Sequence, residues 1–449
     1  MSHPAAAGPL THRRVLNIAV PIVLANITVP ILGLVDTGVV GQLGEAAPIG
    51  AVGLGAVVLT TVYWIFGFLR MGTTGLVAQA RGAGDAAESG AILTRSMMVG
   101  LGAGLAMITL QAPLIWAAFA IAPASDQVES LARDYLAIRI WGAPATISLY
   151  ALTGWLIATE RTRGVLVLQF WINGLNIGLD LWFVLGLGWG VQGVAIATLI
   201  AEWSGLVFGL WLCRAAFSGR QWRDWARVFD RARIRRMMQV NGDIMLRSVV
   251  LQASFTSFLF IGAGFGDVDL AANQVLLQFL AVIAYGLDGF AFAAEALVGQ
   301  AVGARSLAAM RRAGGMTSLW GFGTAVGLAL GFWALGPLAI DIMARDPAVQ
   351  ETARIYLPYV VAAAIISLGA YMLDGIYIGA TGTRQMRNTV LFSALCYAGA
   401  LWLLVPAFAN HGLWAALLLF NALRGVALAV LYPGLERQCF PTHRPAPQA

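Results

Sequence analysis

Asp36, Asn176, Asp180 and Thr198 are the side chains in this sequence best suited to chemistry, and all four stand inside long apolar runs. Asp36 falls within Asn26-Ile-Thr-Val-Pro-Ile-Leu-Gly-Leu-Val-Asp-Thr. A carboxylate in such a run is costly unless it faces a protein interior or a wet cavity. Asn173, Asn176 and Asp180 recur at three- and four-residue spacing and so share one helix face, as do Thr198 and Glu202 on the next apolar run. Asp36, Asp180 and Thr198 fall at similar depth in the outer part of a bilayer. Two carboxylates, an amide and a hydroxyl at one level suit a proton or a Na⁺. Close carboxylates in low dielectric raise one another's proton affinity and titrate as a unit. Pro30 precedes Asp36 and removes one backbone donor, which predicts a kink, a hinge beside the acid. The plainer alternative is a hydrogen-bond network that only ties three helices together, and Asn173 and Thr198 fit that as well as a functional role.

The second half of the chain has its own charges. Asp243 and Arg247 stand at i,i+4, a spacing that predicts an intrahelical ion pair. Asp288 and Glu295 share one helix face, and Asp374 lies toward the inner end of another helix. Arg70 and Arg424 need partners inside the apolar spans, and these acids can supply them. Glu202 reads as a carboxylate standing by itself nearer the midplane. Tyr63, Trp64, Tyr150 and Trp155 are candidates to line a cleft for flat organic cations. The run Gly100, Gly102 and Gly104 lies inside an apolar span, where small residues serve helix packing rather than phosphate binding. Cys213, Cys396 and Cys439 show neither a disulfide framework nor metal spacing, and the histidines at 3, 12, 411 and 443 fall in termini and loops. No nucleophile–base pair stands in the spans, so the sequence does not read as an enzyme, and it calls for no cofactor.

Elements that position these groups follow from composition. Hydrophobic residues make up 59% of the chain, charged residues 11%, and the mean hydropathy is +0.77. Soluble domains carry about 25% charged residues, so the chain reads as an all-α polytopic membrane protein. Its net charge of +6 rests on arginine alone, not interleaved with aromatics as nucleic-acid binding requires. At about 20 apolar residues per span, twelve helices are expected, with cores near 16–40, 48–79, 91–121, 130–158, 164–186, 190–213, 236–263, 269–300, 312–340, 351–380, 386–408 and 412–432. Arginines gather in alternate connections, and the opposite ones hold Glu45, Asp126, Asp267, Asp269 and Asp346. By the positive-inside rule both termini are cytoplasmic. The stretch 214–236 holds eight arginines with Trp222 and Trp225. It reads as a cytoplasmic linker against anionic headgroups, joining residues 1–213 and 237–449.

The halves repeat. Val77-Ala-Gln-Ala-Arg-Gly-Ala matches Val298-Gly-Gln-Ala-Val-Gly-Ala, and Ala132-Arg-Asp-Tyr-Leu matches Ala353-Arg-Ile-Tyr-Leu at the same offset. Six helices per repeat is even, so both lobes keep one orientation around a central cleft. Asp288 and Glu295 align with Gly67 and Thr74, so the charges are not duplicated.

With these residues in view, the sequence resembles the multidrug and toxic compound extrusion (MATE) transporters and, within them, the DinF branch. The likeness is carried by Asn26-Ile-Thr-Val-Pro-Ile-Leu-Gly-Leu-Val-Asp-Thr, Leu69-Arg-Met-Gly-Thr-Thr-Gly-Leu-Val-Ala-Gln-Ala and Asp243-Ile-Met-Leu-Arg-Ser. Tyr285-Gly-Leu-Asp-Gly-Phe-Ala, Ile378-Gly-Ala-Thr, Met386-Arg-Asn and Leu423-Arg-Gly extend it along the whole chain. The resemblance implies a monomeric exporter of the bacterial cytoplasmic membrane. It would exchange incoming H⁺ or Na⁺ for an outgoing lipophilic and often cationic small molecule; the apolar surroundings of the acids, with no carbonyl-rich broken helix to complete a Na⁺ shell, favour H⁺. The family's N-lobe cation site maps onto Asp36, Asn176, Asp180 and Thr198. Another branch uses a helix-seven Glu with a helix-ten Asp; here Asp374 matches, but the helix-seven acid is Asp243. A lipid-linked precursor flippase of the same superfamily is the alternative, expected to carry several cleft arginines for a pyrophosphate.

Overall fold

A computed structural model describes residues 9–42, 46–121, 124–218 and 221–441, which form helices and short connections with no strand among them. The solvent explains this. In hydrocarbon every backbone N–H and C=O must be satisfied within the protein, and a helix does so locally. Eleven helical stretches are long and apolar enough to cross a bilayer. One of them, Thr383–Cys439, breaks at Ala409, whose φ of 48° and ψ of −126° end one helix and begin another.

The twelve spans expected from the sequence are thus accounted for. They are α1 (His12–Gly41), α2 (Ala47–Gly82) and α3 (Ala86–Thr109, continued by Gln111–Ile121). Next come α4 (Asp126–Ala158), α5 (Thr162–Gly186) and α6 (Gly190–Leu212). The second half holds α7 (Arg231–Ala263), α8 (Asp267–Gly303), α9 (Leu307–Met343) and α10 (Pro347–Gly379). The last pair is α11 (383–408) and α12 (410–439).

Two compact units result. The N-terminal unit comprises Leu24–Val77 and Asp85–Arg236; the C-terminal unit comprises Met1–Val23, Ala78–Gly84 and Met237–Ala449. The first half of α1 and the end of α2 therefore pack with the second half of the chain. There the repeat shows in the packing. A Cβ on Gly82 would lie 2.0 Å from the Gln300 carbonyl oxygen, and one on Gly303 would lie 2.0 Å from that of Gln79. These reciprocal contacts exchange equivalent residues of the two repeats, as a two-fold relation requires, and only glycine allows them.

The linker is seated on α3. Thr94 Oγ1 donates to the Trp222 carbonyl at 3.0 Å and Arg95 Nε to that of Val228 at 3.0 Å. Arg227 Nη1 reaches the Asp85 carboxylate at 3.0 and 3.1 Å, and Arg233 pairs with Glu88. Sequence alone turns these arginines toward headgroups; acids in the first turns of α3 engage two of them instead. Trp225 and Phe229, stacked 5.8 Å apart and exposed, form the apolar part of the linker surface. Glu45, Arg220, Arg444, His3 and His443 lie outside the described residues.

Candidate functional site

The expected acid cluster assembles within the N-terminal unit. α1 brings Asp36, α5 brings Asn176 and Asp180, and α6 brings Thr198. Asn176 and Asp180 are fully buried, and Asp36 is half-buried. With its amide nitrogen toward the acids, Asn176 donates to Asp36 Oδ1 at 3.2 Å and to Asp180 Oδ2 at 3.1 Å. Its oxygen then accepts from Thr198 Oγ1 at 3.0 Å and from the Thr198 amide at 3.3 Å. The chemistry selects this orientation, because ionised carboxylates only accept. Asp36 and Asp180 thus meet at one amide and lie within electrostatic range of one another. Asp180 Oδ1 is buried without a partner among the described residues.

Asn173 and the backbone after Asp180 lie beside the cluster. Asn173 stays outside the acid cluster: its Nδ2 donates to Thr28 Oγ1 at 2.9 Å, tying α5 to α1 just before Pro30. Gln169 holds its oxygen at 3.0 Å. α5 also turns π-helical immediately after Asp180, over Leu181–Gly186. Such wide turns are frequent at functional sites. The regular spacing of Asn173, Asn176 and Asp180 gives no sign of it, and the sequence reading expects no irregular backbone there.

One helical turn from Thr198, Glu202 does not stand by itself. Arg139 Nη1 and Nη2 donate to its two oxygens at 2.7 and 3.0 Å, with both residues buried. A Cβ on Gly142 would lie 2.1 Å from Glu202 Oε2, so glycine makes the room for the carboxylate. Tyr135 is buried within electrostatic range of Arg139. The Tyr63 hydroxyl is buried with no partner among the described residues. Arg139 is the residue the sequence reading misses. Its signal is an arginine inside the span, in Tyr135-Leu-Ala-Ile-Arg-Ile-Trp, where a charge calls for a partner.

In the C-terminal unit the expected Asp243–Arg247 pair is replaced by two others. Asp243 accepts from Arg387 Nη1 at 2.7 Å and from Thr383 Oγ1 at 3.1 Å. Arg247 donates to Asp374, which also accepts from Arg424 Nη2 at 2.7 Å. Burial explains the exchange: Arg247 is 6% exposed and needs a buried acid, which Asp374 provides. Both arginines meet the same oxygen, and Asp374 Oδ1 has no partner among the described residues. Glu295 is buried on α8, and Asp288 is half-buried near Tyr371. Arg70 is buried on α2, within electrostatic range of Tyr150 in the N-terminal unit.

Twelve apolar spans in two related halves, with a buried acid pair inside one unit, are the makings of a membrane transporter rather than an enzyme. The MatE family model matches residues 21–182 and 244–400, and the chain belongs to this family of multidrug efflux transporters. It is 38% identical over 425 residues to DNA damage-inducible protein F of Escherichia coli (strain K12), covering 93% of this chain and 91% of that protein. It is 27% identical to the "Probable multidrug resistance protein NorM" of a Synechococcus strain, covering 85% and 84% of the two chains. In fold it matches the MATE transporter VcmN of Vibrio cholerae with a TM-score of 0.84 at 19% identity, over 95% and 97% of the two chains.

Proposed function

We propose that this chain exports lipophilic, often cationic small molecules across the bacterial cytoplasmic membrane by alternating access, driven by protons entering at Asp36 and Asp180. The observation that carries the reading is the buried cluster in which one amide, Asn176, bridges both carboxyls. A proton is favoured over Na⁺ because the two acids stand in apolar, buried surroundings that favour the protonated form. Two carboxyls brought to one buried amide also suit a shared proton, since close acids titrate as a unit. Asp374 suits a cation poorly, since two guanidinium groups already share its oxygen. Pairing of Arg139, Arg247 and Arg424 with acids also counts against a pyrophosphate-binding cleft. Both termini are cytoplasmic by the arginine distribution.

Proteoliposomes with imposed gradients test this. Efflux is expected to follow a pH gradient and to ignore a Na⁺ gradient at clamped pH. Efflux that tracks Na⁺ with pH held equal would overturn proton coupling.

Pro30 supplies a second test. α1 stays helical through Pro30, which has no N–H for the Asn26 carbonyl, and Asn173 grips the helix at Thr28 beside that gap. Bending there on protonation of the acids would narrow the N-terminal unit. Pro30→Ala restores the backbone bond and is expected to slow turnover while equilibrium substrate binding stays near wild type. Equal loss in both, or in neither, would show that Pro30 serves packing alone.

A further inference from the structure

We propose that Glu202, within a cage of tyrosines, is the subsite for the positive charge of an organic substrate, and that Arg139 is the counter-charge vacating it. The inference rests on the proton-coupled reading above and adds where the substrate's charge goes and what expels it.

Two layers lie one helical turn apart. Thr198 and Glu202 are four residues apart on α6, and Tyr135 and Arg139 are four apart on α4, about 6 Å along each axis. The first layer holds Asp36, Asn176 and Asp180; the second holds the Arg139–Glu202 pair. Arg139 lies within electrostatic range of Asp36 and Asp180 as well as Glu202. Its planar fork satisfies one carboxylate bidentately at a time. Within electrostatic range of the Arg139–Glu202 pair are Asp36 from α1, Tyr63 from α2, Tyr135 and Tyr150 from α4 and Asp180 from α5, with Arg70 of α2 in range of Tyr150.

Charge counting gives the exchange. When the two aspartates share a proton, Arg139 is held by Glu202, as the structure shows. When both are ionised, three carboxylates compete for one arginine. Arg139 moves toward the aspartates, and Glu202 is left with a missing positive charge. An organic cation fills it, with the tyrosines Tyr63, Tyr135 and Tyr150 in range of the same carboxylate. Tyr63 is poised for that state: its hydroxyl is buried and unpartnered while Arg139 occupies Glu202. Protonation of the aspartates releases Arg139, which returns to Glu202 and displaces the cation. Protons and substrate exclude one another without touching the same oxygen.

The test uses the full chain and tetraphenylphosphonium, a lipophilic cation with no hydrogen-bonding group. Wild type is expected to bind it more tightly at pH 8 than at pH 6. Glu202→Gln alone strands a buried arginine, so the informative variant is the double Arg139→Gln, Glu202→Gln, whose two amides can pair without charge. It should retain the wild-type melting temperature yet bind the probe about thirty-fold more weakly, a loss of roughly 2 kcal/mol for a desolvated charge pair, with no pH dependence. Wild-type binding with wild-type pH dependence in the double variant would overturn the proposal and leave the pair a structural bridge. Tyr63→Leu, which removes a ring and an unpaired hydroxyl, should weaken binding several-fold, and unchanged binding would count against the cage. If the proton-coupled reading itself fails, efflux by wild type ignores the pH gradient. If only this inference fails, that gradient response stands and the variants alone behave as wild type.

Discussion

Asp36→Asn is expected to reduce coupled efflux to background while leaving the protein folded and inserted. Asparagine keeps the size of aspartate and an oxygen to accept the hydrogen bond that Asn176 donates at 3.2 Å. What it loses is the ability to take up and give off a proton. Without a second ionisable carboxyl there is no pair to share and release one, and Asp180 is left facing an amide. Packing around the half-buried side chain is unchanged, so the melting temperature should move little. Proteoliposomes with an imposed pH gradient give the efflux measurement, and detergent-solubilised thermal unfolding gives the control. Wild-type efflux from a correctly inserted variant would remove Asp36 from the coupling site.

Asp374→Ala should act in the opposite way, on stability first. Arg247 and Arg424 are 6% and 5% exposed, and both donate to Asp374 Oδ2. Removing that oxygen takes the shared carboxylate away from two buried guanidinium groups, while Arg424 Nη1 keeps its bond to Asn421 Oδ1 at 3.0 Å. Breaking a buried ion pair from one side costs roughly 3–5 kcal/mol, a large part of the ~5–15 kcal/mol by which folded domains are stable. A marked fall in melting temperature, or loss of the protein during extraction, is the expected result. Replacing Asp374, Arg247 and Arg424 together by apolar residues should recover most of it, since a neutral core carries no desolvation cost. A single variant that melts with wild type would show that the arginines find other partners.

These expectations also show what could be read before the fold was known. Asp36, Asn176, Asp180 and Thr198 announce themselves, because polar groups in apolar spans are few and helical spacing says which share a face. The repeat is equally plain, since identical offsets in separate helices have no local cause. Tertiary choice is harder. Asp243 and Arg247 have the spacing of a pair, yet spacing only permits contact, and a better-buried acid on α10 takes the arginine. Arg139 and Glu202 stand 63 residues apart on two helices of the same half, and no periodicity within either helix says that they face one another. The π-helical turn after Asp180 depends on how α5 meets α6, through contacts such as Gly193 against Phe183.

The seating of α1 bears on how the protein is made. Its first half belongs to the C-terminal unit: Arg14 Nη2 donates to Gln300 Oε1 at 2.9 Å, and His12 Nδ1 accepts from Trp320 at 3.1 Å. Gly289 of α8 comes so close that a Cβ on it would lie 2.8 Å from the Ala19 carbonyl oxygen. α1 is synthesised well before α8 and α9, yet the first half of α1 finds its neighbours only with them. Residues 12–23 enter the bilayer with their packing face against lipid and wait there until α8 and α9 have been synthesised. Co-expressed fragments cut after Arg236 would reproduce that interval as a bimolecular step: the second fragment would lack the helical segment that completes it, and assembly would depend on the concentration of the first.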